Sequence, residues 1–519
     1  MVGVLLVIAL VFSVRALLHR RTLPAVTAAP EATTLAVDGG IEVPTYLGGP
    51  ARRTYGRGPA PKSLHVLWKL HVGQGFTNRK SDNKAVLWSG TGWTGQPTLV
   101  RQGGREWLLI GGYDHKLRRV DAATGKTKWT YAFDDVIKGT NTVFAVKQSG
   151  KTRVIVVAGS RRGVGLHRGA RAIAPFRAID FATGRELWRL PVPKTANYSQ
   201  DVDASALYVD GVLYVAVEPG YVYAIDPLRT QRFGTHRRPV VLARSPRLFT
   251  SHDAAAHPDI GGANVAIEGS PTLLGKTLYV SSGAGHVWGL SVPDLKVVWD
   301  YRTGSDIDST PATTRGGRLL VGIEKEYIPG HGGAAMLDPR KPAAHALVWY
   351  FPTPDRGIGE WSGGVVGSVA VNDEYDRERT RPALAAFAGV DGPLYVVSQD
   401  QLAEETGRGP RNQSGVPTPK LVYRSPLGGS ISTPVFTADD AIIAAGYDRT
   451  LHLYRLTYGP AGRGDGVDLR CRDGVTRRVR VRQTSRFTAG GSFESTPLVW
   501  NGRVYVGCRD GWLYCLGDR

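Results

Sequence analysis

Tyr113-Asp114-His115-Lys116-Leu117-Arg118-Arg119-Val120-Asp121-Ala122-Ala123-Thr124-Gly125-Lys126-Thr127-Lys128-Trp129 decides the fold. It reads as a short alternating strand, a tight Thr-Gly turn and a second strand that carries a tryptophan. The pattern returns as Ala178-Ile179-Asp180-Phe181-Ala182-Thr183-Gly184-Arg185-Glu186-Leu187-Trp188. Degenerate copies follow at Val222 to Asp226, at Val287 to Leu290 with Trp299, and at Ala335 to Asp338 with Trp349. A repeat with this period means a stacked array of one supersecondary unit.

Small-residue-Pro signals mark where each copy opens: Gly95-Gln96-Pro97, Gly269-Ser270-Pro271, Ser309-Thr310-Pro311, Ser432-Thr433-Pro434 and Ser495-Thr496-Pro497. Proline is tolerated at the first residue of a strand, where its missing N–H need not face a neighbour. Weaker starts near Thr142, at Ala204-Ser205-Ala206 and at Gly367-Ser368-Val369 bring the count to eight. The last copy, Ser495 to Leu516, ends without its tryptophan strand, and an orphan strand of that kind stands at His65 to Val72. Joining the two closes a ring and removes an exposed sheet edge. The expected fold is all-β: an eight-bladed propeller over 62–519, closed by its N-terminal strand.

The repeat resembles that of the pyrroloquinoline-quinone-like (quinoprotein-type) β-propellers. The resemblance implies an exported, envelope-associated protein, and it spans both enzymes and scaffolds, since a fold does not fix a function. Quinoprotein dehydrogenases of this type hold calcium through an acid and an Asn, use an Asp as base, and stack the quinone between a Trp and a ring of two adjacent cysteines. By that resemblance Glu268 or Asp203, Asn264 and Asp308 supply the first three roles, and Trp288 or Trp361 the floor. The three cysteines, Cys471, Cys508 and Cys515, contain no adjacent pair. The reading is therefore a non-catalytic scaffold for envelope proteins, monomeric and without a cofactor. The alternatives are a quinone (PQQ) and calcium-dependent alcohol or sugar dehydrogenase, and a small-molecule-binding sensor.

Asp203, Glu268, Asp308 and Glu494 each stand three residues before the opening of an inner strand. In a ring, equivalent positions converge on the channel mouth, where like charges raise one another's pKa or bind a cation. Local capping of the neighbouring Ser or Thr amides is the plainer role for them. His252 to Asp259 holds two His and two Asp in a loop, without the spacing of a metal motif. Asn372 to Asp376 reads as a solvated hairpin tip. Cys508 and Cys515 flank an Asp-Gly turn that would set Cys508 opposite Leu513 and Cys515 opposite Val506, too offset for a bridge.

Formal net charge is +20. That favours anionic partners such as a lipid or glycan surface. Basic clusters at Arg161 to Arg171 and Arg477 to Arg482 carry no aromatic interleaving, so nucleic acid is not expected. Met1 to Leu18 is apolar apart from Arg15, and Arg20-Arg21 follow. Residues 1–21 read as a signal peptide or a membrane anchor, and 22–61, rich in Pro, Ala, Thr and Gly, as a flexible tether. Basic residues after the apolar run oppose the export that the resemblance implies.

Overall fold

The computed structural model describes residues 40–79, 84–148, 150–161, 172–259 and 262–519. The apolar segment and the basic residues Arg162, Arg168 and Arg171 lie outside them. No helix among the described residues is long and apolar enough to cross a membrane.

Among the described residues, eight sheets of four or five strands form in chain order, each built on an antiparallel blade. Their inner strands open at Thr98, Thr142, Leu207, Thr272, Ala312, Ala370, Val435 and Leu498. Five of the eight therefore begin one residue after the proline that marks them. The ring closes as the orphan strand requires. His65–His71 pairs antiparallel with Trp512–Gly517, and Trp68 stands opposite Cys515. The core is a series of apolar layers between successive blades rather than one centre. Phe144, Val157 and Trp188 of blade two pack with Leu213 and Val215 of blade three. Leu498 and Tyr505 of blade eight pack with Leu99 and Leu108 of blade one.

In five of the blades the repeated tryptophan docks the blade onto the next. The indole N–H of Trp68 donates to Ala122 O (3.1 Å), Trp129 to Phe181 O (2.8 Å), Trp188 to Pro227 O (2.8 Å), Trp299 to Lys341 O (3.1 Å) and Trp349 to Gln399 O (2.9 Å). The motif glycine makes room for this contact. A Cβ at Gly125 would meet the Trp68 ring, and one at Gly184 the Trp129 ring, and both glycines hold a positive φ. Trp188 and Trp349 are fully buried, whereas Trp129 and Trp299 are half-buried.

Residues 40–61 are not a tether. Segment 41–58 enters the channel and meets the inner strand of every blade. Ile41 and Val43 pair with Val100 and Leu99 of blade one. Pro44 O accepts from Val143 N of blade two, and the Thr45 hydroxyl donates to Ala206 O, at the opening of blade three. Pro50 O and Ala51 O accept from Leu273 N and Thr313 N of blades four and five. Tyr55 OH accepts from Val371 N of blade six, Tyr46 OH bonds Thr433 Oγ1 beside blade seven (2.7 Å), and Gly56 pairs with Val499 of blade eight. Arg52 is wholly buried at the centre, donating to Pro271 O, Ser205 O and Tyr46 O, and burial lowers its pKa to about 9. Such a segment has no sequence period, since it is held by a mixture of backbone and side-chain hydrogen bonds to eight different blades.

Tyr221–Phe233 and His236–Arg244 form a long hairpin. Three local expectations change. Ser251–Ala256 is a short helix with a Thr250–Asp253 capping box, its Asp253 buried against His286. Asp373 and Asp376 are buried and paired with Arg472 at 3.1 and 2.9 Å, so this turn is no solvated tip. Cys515 stands opposite Tyr505, one residue off the two-residue-turn register, because the connection from Gly507 to Leu513 is longer. All three thiols are free and buried.

Candidate functional site

Three of the four aligned carboxylates gather at the channel mouth, with three more that the strand-start alignment misses. Asp203, Glu218 and Glu268 hold carboxylate oxygens within 4.8 Å of one another, and so do Asp306, Asp308 and Glu324. Glu218 follows the second strand of blade three, Val212–Val217, and Glu324 the second strand of blade five, Leu319–Ile323. Aligning the ends of second strands would have found both.

The first triad is partly neutralised from within. Lys138 Nζ forms an ion pair with Asp203 and lies 3.5 Å from Glu268, while Tyr198 OH donates to Glu268 (2.9 Å). Burial opposes the Lys138 charge, yet Asp203, Glu268 and Glu218 hold its pKa well above the usual lysine range. Burial, together with Glu268, raises Asp203 to about 6 despite the lysine, and burial with Asp201, Glu268 and Asp203 pushes Glu218 well up. In the second triad, Asp308 and Glu324 form no ion pair with a lysine or arginine among the described residues. Burial and the neighbouring acids push both Asp308 and Glu324 well above the carboxylate range. Glu324 Oε1 and Glu218 Oε2 are buried without a hydrogen-bond partner. Asn264 is buried beside this triad and donates to Asp306 Oδ2 (2.7 Å). Oxygen donors so arranged either share protons or hold a hard cation.

Glu494 stands apart from both triads. It accepts from Arg509 (2.8 Å) and from Tyr447 OH (3.0 Å), which makes it an ion-pair residue. Trp288 lies in the apolar layer between blades three and four, stacked on His286 at 4.6 Å. Trp361 is half-buried in an apolar cluster with Trp93, Val366, Val390, Ile431 and Ile358. These side chains come from the openings and turns of blades one, six and seven, so one side of the mouth is acidic and the other greasy. A cavity of about 760 Å³ lies elsewhere, between the channel segment, Phe144, Tyr208, Glu374 and Trp500, and touches none of the six carboxylates.

A family model described as the outer membrane protein assembly factor BamB matches residues 65–236. Among curated proteins no sequence matches significantly. In structure the chain is similar to BamB from Moraxella catarrhalis (13% identity, 88% of this chain and 100% of that one, TM-score 0.49). It is also similar to the quinohemoprotein alcohol dehydrogenase from Comamonas testosteroni (15% identity, 93% and 82%, TM-score 0.51). The chain is an eight-bladed β-propeller, and its residues 65–236 carry the quinoprotein-type, pyrroloquinoline-quinone-like repeat.

Proposed function

We propose that the protein is a non-catalytic propeller of the cell envelope, held at the extracytoplasmic face of the inner membrane and serving as a docking scaffold for other envelope proteins. The filled channel carries this reading. Segment 41–58 contacts all eight blades inside it, and the Trp93–Trp361 cluster closes the greasy half of the mouth. In the quinoprotein dehydrogenases that the repeat resembles, the quinone lies in a flat slot between an indole and a ring of adjacent cysteines. Here Trp288 is part of a blade interface, and no two cysteines are adjacent. The outer surface is left as the working part. The hairpin Gln74–Asn78 with Ala85–Ser89 sets Phe76 directly opposite Leu87, 56% and 48% exposed. The match of residues 65–236 to an assembly-factor model points the same way.

A photo-crosslinking residue placed at Phe76 or Leu87 in the native cell tests this. The expected result is a discrete set of envelope-protein adducts, absent when the same residue replaces Val298 on the rim of blade four. Identical adducts from both places, or none from the hairpin, would refute docking there.

The second triad favours one competing reading, the calcium-dependent dehydrogenase. Asp306, Asp308, Glu324 and the Asn264 side chain suit an oxygen-seeking ion, which would supply charge to polarise a bound oxygen. The residues fit the cation and do not fit the quinone.

A further inference from the structure

The outer hairpin of blade three, like those of blades six and seven, extends well past the short hairpins of the other blades. Its third strand, Tyr221–Phe233, runs 13 residues where the same strand of blade four, His286–Ser291, runs 6. Between Asp226 and Arg244 the chain carries five arginines, at 229, 232, 237, 238 and 244, against one aspartate, a net +4. Arg229 takes up that aspartate at 2.5 Å. Arg232 and Arg237 are direct cross-strand partners, with Gln231 opposite Arg238 beside them. Like charges placed directly opposite destabilise a strand pair. Nothing on the hairpin relieves them. Arg237 donates to the Thr230 hydroxyl and carbonyl, Arg232 to Gly234 O and Arg238 to Gln231 Oε1. Among the described residues no carboxylate pairs with any of the three. Glu186, the nearby acid, is engaged by Arg189 and faces His236 at 3.5 Å.

Apolar side chains accompany these charges. Leu228, Val241 and Leu242 are 40%, 42% and 46% exposed on the same hairpin. Arginines interleaved with exposed aliphatic side chains match a lipid headgroup layer, in which phosphates meet the guanidinium groups and the acyl boundary takes the aliphatic groups. An acidic protein surface would satisfy the charges and leave the aliphatic residues in water.

We propose that the Tyr221–Arg244 hairpin is a docking surface for an anionic phospholipid bilayer. The full-length chain carries an environment-sensitive fluorophore at Thr235→Cys, since the three native thiols are buried. It is titrated with vesicles of phosphatidylglycerol and phosphatidylcholine, and with phosphatidylcholine alone. The expected result is a blue shift with the anionic vesicles only, lost in 0.5 M salt, whose Debye length is on the order of a few ångströms. Each basic residue at an anionic surface contributes about 1 kcal/mol. The triple variant Arg232→Gln, Arg237→Gln, Arg238→Gln should therefore need roughly a hundredfold more lipid for the same shift. An equal shift with phosphatidylcholine, no shift at all, or a triple variant like the parent would overturn the proposal. So would a shift given by polyglutamate but not by the vesicles, which would assign the surface to an acidic protein.

Discussion

Replacing Trp188 and Trp299 by alanine, one at a time, separates the two things the docking tryptophan does. Both indoles donate to a carbonyl of the next blade, at 2.8 and 3.1 Å, but Trp188 is fully buried and Trp299 half-buried. A tryptophan offers roughly 200 Å² of surface. At about 25 cal/mol per Å², burying all of it contributes about 5 kcal/mol, and burying half about 2.5 kcal/mol. The first figure falls at the upper end of the roughly 3–5 kcal/mol seen for large aromatics cut to alanine. Trp188→Phe keeps most of the area and loses the bond to Pro227 O, leaving that buried carbonyl unmet at a cost of about 1–3 kcal/mol. The assay is urea unfolding followed by fluorescence, with the midpoint shift multiplied by an unchanged slope. The expected order is Trp188→Ala, then Trp299→Ala, with Trp188→Phe no worse than Trp299→Ala within error. Equal losses for the two alanine variants would refute burial as the source and leave the shared hydrogen bond in its place.

Deleting 64–72 removes the strand that closes blade eight, so melting temperature should drop sharply and the protein aggregate through the exposed edge of Trp512–Gly517; an unchanged melting curve would refute closure. The buried acids of the mouth predict the pH dependence. Asp203, Glu218, Asp308 and Glu324 have folded pKa values raised above the unfolded ones, so the stability they allow is present below about pH 4 and lost as pH rises through about 6, the value for Asp203. Melting temperature should fall between pH 5 and 8, and less steeply in Glu324→Gln; a parallel slope in that variant would contradict the assignment. Burial pushes Cys508 and Cys515 up to about 12, and Cys471 is buried too, so a thiol reagent at pH 8 should titrate none of them until the chain unfolds.

Blade number and closure were legible because both rest on local chemistry. Proline cannot donate to a ladder, so Pro97, Pro271, Pro311, Pro434 and Pro497 mark strand openings whatever surrounds them. An unpaired tryptophan strand at one end and a missing one at the other admit one arrangement. The segment 40–61 was not legible. Its Gly and Pro content is that of a linker, and what orders it is a set of carbonyls and amides on eight inner strands that come together only after the ring forms. The site was half legible. Equivalent sequence positions did become neighbours for Asp203, Glu268 and Asp308. Glu494 failed because Arg509, on the adjacent turn, claims it. Glu218 and Glu324 escaped notice because they end second strands. The ion pairs of Asp373 and Asp376 depend on Arg472, almost one hundred residues away, which no local pattern announces.

The non-catalytic reading turns on whether these residues hold a quinone. The measurement is to incubate the purified full-length protein with calcium and pyrroloquinoline quinone, desalt it, and record the absorbance spectrum alongside dye reduction with alcohols and sugars. The account predicts no retained quinone absorbance and no dye reduction, with calcium alone retained by the parent and released in Asp308→Asn with Glu324→Gln. Stoichiometric quinone in the protein fraction, with substrate-dependent dye reduction, would contradict it.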